Sequence, residues 1–323
     1  MANYRFGIVG LGRIAESFAE NFPKDQTLHG AAARDLKRAQ AFADKFNIPK
    51  AYGSYGEMFA DPEIDAVYIA TPHNFHYDQI KAALTAGKHV LAEKSITLNL
   101  HELDELIALA QAKHLILMEA QTIYHMPLYT TLTAKAKELG ALKTIQVSFG
   151  SYAPNKPEDR LLNPNLAGGA LLDIGIYALS FARRFMSAAP KLVATQMTKT
   201  STGVDGQSTF LLTNAVNEQV TVALNLQAKM PKQGIVAYQE GFYVVDQYPR
   251  SQTAEFSHPD LSHETIQAGD TSLAMAYEVD DMAKAIETGN NPTLAWTSDV
   301  MAIMTQARQT WGFTYPGETT LDA

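Results

Sequence analysis

Residues 7–15 read GIVGLGRIA. The apolar run YRFGIVG ends in Gly10, a second glycine follows at position 12, and an amphipathic stretch then runs from Arg13 to Phe22. This predicts a strand, a tight turn and a helix, with Gly10, Gly12 and Ala15 in the spacing G-x-G-x-x-G/A. The reasons for that spacing are physical. Gly10 permits the tight turn, Gly12 lets the backbone approach a pyrophosphate, and Ala15 allows close packing of helix on strand. The helix start adds unpaired N–H groups and the positive end of a dipole. The stretch therefore predicts a dinucleotide site with Gly10, Gly12, Arg13 and Ile14 against the cofactor. Alone the pattern is only a glycine turn; its place between a strand and a helix makes it specific.

Working outward, the same alternation continues. TLHGAAAR predicts a second strand, and DLKRAQAFADKF places Leu36, Ala39, Phe42 and Phe46 on one helical face. DAVYIAT is an apolar strand stopped by Pro72, and HYDQIKAALTAG a helix closed by Gly87. KHVLAE, LHELDELIALAQAKH and LILMEA repeat the pattern, so βαβ units and a doubly wound parallel sheet are expected. At the end of the second strand an acid would bond the ribose hydroxyl of NAD, and an arginine would meet the 2′-phosphate of NADP. The sequence supplies Ala33-Arg34-Asp35, with Asp35 better placed to cap the next helix, so NADP is expected, NAD being the alternative. TPHNFH follows a strand's carboxyl end, where ligands bind in such sheets. Thr71, Pro72, His73 and His76 are cofactor-side candidates there, although a hydrogen-bonded structural role is the simpler reading of each histidine, and no third metal ligand accompanies them.

Beyond about residue 120 the texture changes. KTIQVSFGSY, STFLLTN, EQVTVALNLQ and GIVAYQEGFYVVD predict longer strands, the third with strict alternation and the fourth with a hairpin turn at Glu240-Gly241. Helices are expected from about Ser272 to Thr288 and from Ser298 to Trp311, with Trp296 and Trp311 packing them. The fold class is thus α/β: a Rossmann domain over 1–120, then an α+β domain over 121–323 with a large, mostly antiparallel open sheet. The 323 residues exceed what one core usually serves. A net charge of −8 argues against a nucleic-acid surface, and the absence of cysteine excludes disulfides and thiol catalysis. No uncharged apolar run approaches roughly 18 residues and no cleavable leader opens the chain, so no membrane association and a cytoplasmic location are expected.

Residues 168–181 read GGALLDIGIYALSF. This is an apolar helix start that carries Asp173 and Tyr177, four residues apart and so on one helical face. A buried carboxylate is costly unless partnered, so the pair either satisfies itself in a core or faces a site.

Taken in order, GIVGLGRIA, AVYIATPHNFHYDQIKAALTAGKHVLAEKSI, LMEA and GGALLDIGIYAL resemble the family of glucose–fructose oxidoreductase and inositol 2-dehydrogenase, nearest the dihydrodiol and D-xylose dehydrogenase branch. The resemblance implies hydride transfer between NADP and a sugar, polyol or cyclic diol, and a homodimer formed through the C-terminal sheet. It places Lys94 at the lysine of the family's Glu-Lys-Pro motif, with Glu93 beside it on the cofactor side. It places Asp173 and Tyr177 at the acid and phenol of Asp-x-Gly-x-Tyr. The chemistry is coherent: reduction of a carbonyl needs a proton donor, and an ammonium beside a phenol favours its phenolate. Tyr177 is read as general acid/base, Lys94 as its tuner and Asp173 as the orienting group. Ser95 replaces the family's proline, and Tyr124 stands where relatives carry an arginine, which points to a different substrate. Tyr124, Tyr152 and Arg160 are candidate substrate contacts, the last with a structural ion pair as the equal alternative; the proline-rich stretch SYAPNKPEDRLLNPN around them reads as a specificity loop. A regulator that binds cofactor without catalysis is the alternative function, though it would need none of Lys94, Asp173 and Tyr177.

Overall fold

The computed structural model describes residues 2–152 and 159–318; residues 153–158 of the expected specificity loop lie outside the described residues. The first half runs β1 (Arg5–Val9), α1 (Arg13–Glu20), β2 (Thr27–Ala32), α2 (Leu36–Phe46), β3 (Lys50–Tyr52) and α3 (Tyr55–Ala60). It continues with β4 (Ala66–Ile69), α4 (His76–Thr85), β5 (His89–Glu93), α5 (Leu100–Ala112) and β6 (Leu117–Ala120). Asp35, Ser54 and Asn99 each accept a hydrogen bond from an amide two or three residues on, which starts α2, α3 and α5 where the sequence offers a cap. The six strands pair in parallel in the order β3-β2-β1-β4-β5-β6. Strand order reverses at β1, so a crevice opens beyond the carboxyl ends of β1 and β4. β4 is buried along its whole length, as a strand covered on both faces must be.

The second half holds α6 (Thr122–His125), α7 (Pro127–Lys135) and β7 (Leu142–Gly150). A π-helical turn over Leu171–Gly175 leads into α8 (Ile176–Phe185). Then come β8 (Lys191–Lys199), β9 (Asp205–Thr213), β10 (Gln219–Asn225), β11 (Met230–Tyr238), β12 (Gly241–Asp246), β13 (Thr253–Ser257) and β14 (His263–Gln267). Helices α9 (Ala274–Thr288) and α10 (Leu294–Trp311) follow. The sheet order is β14-β13-β12-β11-β7-β10-β9-β8, antiparallel throughout except where β7 and β10 run parallel. Along β10, Val220, Val222 and Leu224 are buried while Gln219 and Thr221 are exposed, so one face is a core face. Helix α8 lies against β7, β10 and β11 on it. The stretch Pro164–Phe185 is apolar and long enough to cross a membrane, but its most apolar window is 78% buried inside the protein, as a core helix is.

Two compact units result: Met1–Ala120 with Ser272–Leu294, and Gln121–Thr271 with Ala295–Ala323. The single cut after residue 120 expected from the sequence is corrected by α9. Its Met275, Val279, Met282 and Ala285 join Phe6, Ile8, Phe18 and Tyr68 in the core of the first unit. Periodicity identifies such a helix but not the core it completes. The sequence reading also passes over β3, which has only three residues, and β8, an edge strand with no buried residue along it.

Candidate active site

The first unit presents the glycine loop at the crevice. Gly10 has φ +86°, and a Cβ there would stand 2.6 Å from Thr71 Cγ2 and 3.1 Å from the Ala70 carbonyl, so only glycine fits between β1 and β4. Gly12 differs: a Cβ on it would meet no protein atom within 4 Å and would stand in the open groove. The groove is a cavity of about 520 Å³ bounded by Gly10, Gly12, Arg34, Arg38, Tyr55 and Thr71. Arg13 at the head of α1 is exposed, Ile14 half-buried, and Ala15 fully buried against the strands. Asp35 is engaged in capping α2 through the Lys37 amide at 2.8 Å. Two guanidinium groups, Arg34 and Arg38, stand in that wall beside the capping carboxylate. Arg38 donates from Nη2 to the Leu11 carbonyl at 2.8 Å, tying α2 to the glycine loop. Arg38, in the first turn of α2 and four residues beyond Arg34, is not among the residues expected from the sequence. An open glycine cradle flanked by guanidinium groups fits a dinucleotide carrying a further phosphate.

Beside the groove, Thr71 donates from Oγ1 to Gln79 Oε1 at 2.6 Å, and Pro72 introduces the turn that holds His73. His76 is fully buried between two carbonyls, Nε2 at 2.8 Å from Thr71 O and Nδ1 at 3.0 Å from Ser95 O. Burial holds its pKa below the ordinary imidazole range. His73 Nε2 lies 3.1 Å from Lys94 O, and the Ile96 amide donates to Glu119 at 3.1 Å. The loop that carries Lys94 after β5 is thus held at three successive residues from β6 and the β4–α4 turn. The Lys94–Ser95 peptide is cis, and Lys94 itself is half-buried. Glu93 accepts a hydrogen bond from the Tyr68 phenol. Both histidines bond main chain, and among the described residues no group of three or more His, Asp or Glu is placed to hold a metal.

In the second unit, the π turn changes the expected α-helical spacing. Ile176 N bonds Leu171 O, five residues back, so Asp173 and Tyr177 sit across a widened turn rather than one above the other on an α-helical face. Asp173 is partnered: Arg160 donates from Nη2 to its Oδ1 at 2.9 Å. The Tyr177 ring stands 6.2 Å from that of Phe149, centre to centre. Lys232 Nζ lies 4.7 Å from the centre of the Phe149 ring. Burial, and then Lys229, lower the pKa of this ammonium, and Asp173 partly opposes them. Lys232 was invisible in the sequence because only the pairing of β11 with β7 brings it to Phe149. Tyr152 is 64% exposed beside this region. Tyr124 is buried, donating to Ser180 Oγ at 3.0 Å on α8, with its ring 5.4 Å from Trp296.

Residues 4–121 match the oxidoreductase family with an NAD-binding Rossmann fold, and residues 133–245 match the GFO/IDH/MocA C-terminal domain. The chain belongs to the GFO/IDH/MocA oxidoreductase family. This is the family expected from the sequence motifs, and it makes the chain an NAD(P)-dependent dehydrogenase or reductase. The chain is 32% identical to trans-1,2-dihydrobenzene-1,2-diol dehydrogenase of Xenopus tropicalis, covering 97% of this chain and 99% of that protein. It is 30% identical to the scyllo-inositol 2-dehydrogenase (NADP(+)) of Bacillus subtilis (strain 168), over 97% and 99%. In fold it is similar to a 3-ketoreductase from Actinomadura kijaniata solved with NADP, with a TM-score of 0.84 at 24% identity over 95% of this chain and 98% of that one.

Proposed function

We propose that this GFO/IDH/MocA oxidoreductase prefers NADP to NAD and transfers a hydride between the nicotinamide and the hydroxyl-bearing carbon of a sugar, polyol or cyclic diol. One observation carries the cofactor half: the groove at the glycine loop is walled by Arg34 and Arg38, while Asp35, the acid that could have bonded a ribose hydroxyl, caps α2. The substrate half rests on the likeness to diol and inositol dehydrogenases.

Bound in the groove, NADP would supply or take up the hydride. The chain's own residues manage the proton. Tyr177 donates a proton to the substrate oxygen during reduction and accepts it during oxidation. The Lys94 ammonium favours the phenolate, and Asp173, held by Arg160, orients a substrate hydroxyl. Gly10, Gly12, Arg13 and Ile14 take the pyrophosphate, with Thr71, Pro72, His73, His76 and Glu93 lining and supporting the nicotinamide side. Tyr124, Tyr152 and Arg160 shape substrate selection. The protein acts in the cytoplasm as a homodimer through the outer face of the eight-stranded sheet, where Val193 and Leu211 are exposed among uncharged Gln146, Gln196 and Thr209.

Equilibrium titration with NADPH and with NADH tests the first half: NADPH should bind at least about tenfold tighter, from one charge-assisted contact to the phosphate. Equal affinities overturn the NADP preference, and no binding of either overturns the enzyme. For the second half, Tyr177→Phe should lower kcat by about 10²–10⁴-fold and leave NADPH affinity unchanged. Full turnover by that variant removes Tyr177 from its role.

A further inference from the structure

The helix bearing Asp173 and Tyr177 begins at Ala170, and its first amides need acceptors that the chain just ahead does not supply. One of them is met from across the second unit. Asp205, the first residue of β9, is fully buried, and its Oδ2 accepts from the Leu171 amide at 2.6 Å. The residue just before the helix explains the glycine run at positions 168–169. Gly169 has φ +126°, and a Cβ on it would stand 2.0 Å from Asp205 Oδ1 and 3.4 Å from the Tyr315 hydroxyl. No side chain at position 169 is compatible with the carboxylate where it lies. Around it, Arg308 of α10 is fully buried and paired with Glu318, and its guanidinium stacks 4.5 Å from the Tyr315 ring. Among the described residues Asp205 Oδ1 and the Tyr315 hydroxyl have no hydrogen-bond partner, so it is Oδ2, through the Leu171 amide, that ties this buried carboxylate to the helix start.

From this we infer that Asp205 is a positioning residue for the active site: it caps the catalytic helix from a different strand and thereby sets where Asp173 and Tyr177 stand. The inference rests on the proposed role of Tyr177. Three features support it. The cap is a charge-assisted bond shorter than an ordinary amide–oxygen contact. It acts at the π turn itself, two residues before Asp173 and six before Tyr177. A glycine is required to make room for it. A carboxylate at a helix N-terminus also complements the dipole, so the same group satisfies the Leu171 amide and the field of the turn.

The test compares Asp205→Asn, which keeps an oxygen acceptor, with Asp205→Leu, which keeps the heavy-atom branching and has none. In Asp205→Leu, kcat should fall about 10- to 100-fold, the scale of a small misplacement of a reacting group. The affinity for NADPH, bound by the first unit, should stay within twofold. Asp205→Asn should recover most of the lost turnover. A core residue of no positional consequence predicts equal kcat in all three proteins when folded, and that result overturns the inference. Should Asp205→Leu fail to fold, the Leu171 amide proton shift in the folded Asp205→Asn protein decides. Recorded about two pH units above neutrality, where the wild-type carboxyl is ionised, it should move upfield from the wild-type position as the charged acceptor becomes a neutral one, and an unmoved resonance overturns the cap. Tyr177→Phe, measured in parallel, separates the two readings. If that variant turns over normally while the amide shift behaves as expected, the proposed role of Tyr177 fails and the cap stands.

Discussion

Arg34, just before the cap of α2, and Arg38, in its first turn, make the same demand on a ligand, and their removal should be read separately. Arg34→Ala should weaken NADPH binding by about 10- to 100-fold, the value of one charge-assisted bond to a phosphate. NADH binding should change by less than about threefold on the same grounds, and fluorescence titration checks both. If NADH weakens equally, Arg34 serves the shared part of the two cofactors. Gly10→Ala forces a left-handed residue and a contact with Thr71, so about 1–3 kcal/mol of stability should be lost, visible as a lower melting temperature. At this scale legibility was uneven. Gly10, Gly12 and Arg34 are readable because their roles depend on fixed distances along the chain from a strand end. Arg38 and Lys232 are not, because what matters for each is a neighbour brought by folding: the Leu11 carbonyl and the Phe149 ring.

Among the elements, α9 and the helix start at Ala170 carry the most. Met282 of α9 is fully buried in the core shared with β1 and α1, so Met282→Ala should cost about 2–5 kcal/mol, read from urea unfolding. Asp205 makes a pH prediction. Burial pushes its carboxyl up to about 7, against the amide bonds and Arg308, which pull it down. A carboxyl with a raised folded pKa binds more protons folded than unfolded, so its contribution to stability grows as pH falls. The stability of the wild type relative to Asp205→Asn should therefore rise between about pH 7 and the ordinary carboxylate range, and flatten outside that window. A difference independent of pH over that window would show that the carboxyl titrates normally. The cap is thus held at some expense of stability above neutrality, as functional positions often are. The sequence did mark GGALLDIGIY as unusual, through a carboxylate and a phenol in an apolar helix. It gave no sign of the π turn, which changes hydrogen-bond register without changing composition.

For the whole molecule, the two units are not consecutive pieces of chain. A fragment ending at Ala120 lacks Met275, Val279, Met282 and Ala285, and exposes the apolar surface they cover. It should melt without cooperativity and bind a hydrophobic dye, whereas the full chain should not. A cooperative transition of the fragment near the full-length midpoint would show that α9 is dispensable. The acidic net charge and the lack of cysteine bear on partners and chemistry, not on this architecture.

The sequence by itself determined the class of fold, the glycine turn and its cofactor class, the family, and the residues at which catalysis is proposed. These are local properties: periodicity of burial, the conformational freedom of glycine, and chemistry spaced along a few turns of chain. The tertiary structure alone decided that α9 completes the first core, that Arg160 holds Asp173, that Arg38 braces the glycine loop, and that Asp205 caps the helix behind Gly169. Each of these joins residues at least 13 positions apart. A side chain's partner across such a separation is fixed by strand pairing and packing, which no local pattern encodes.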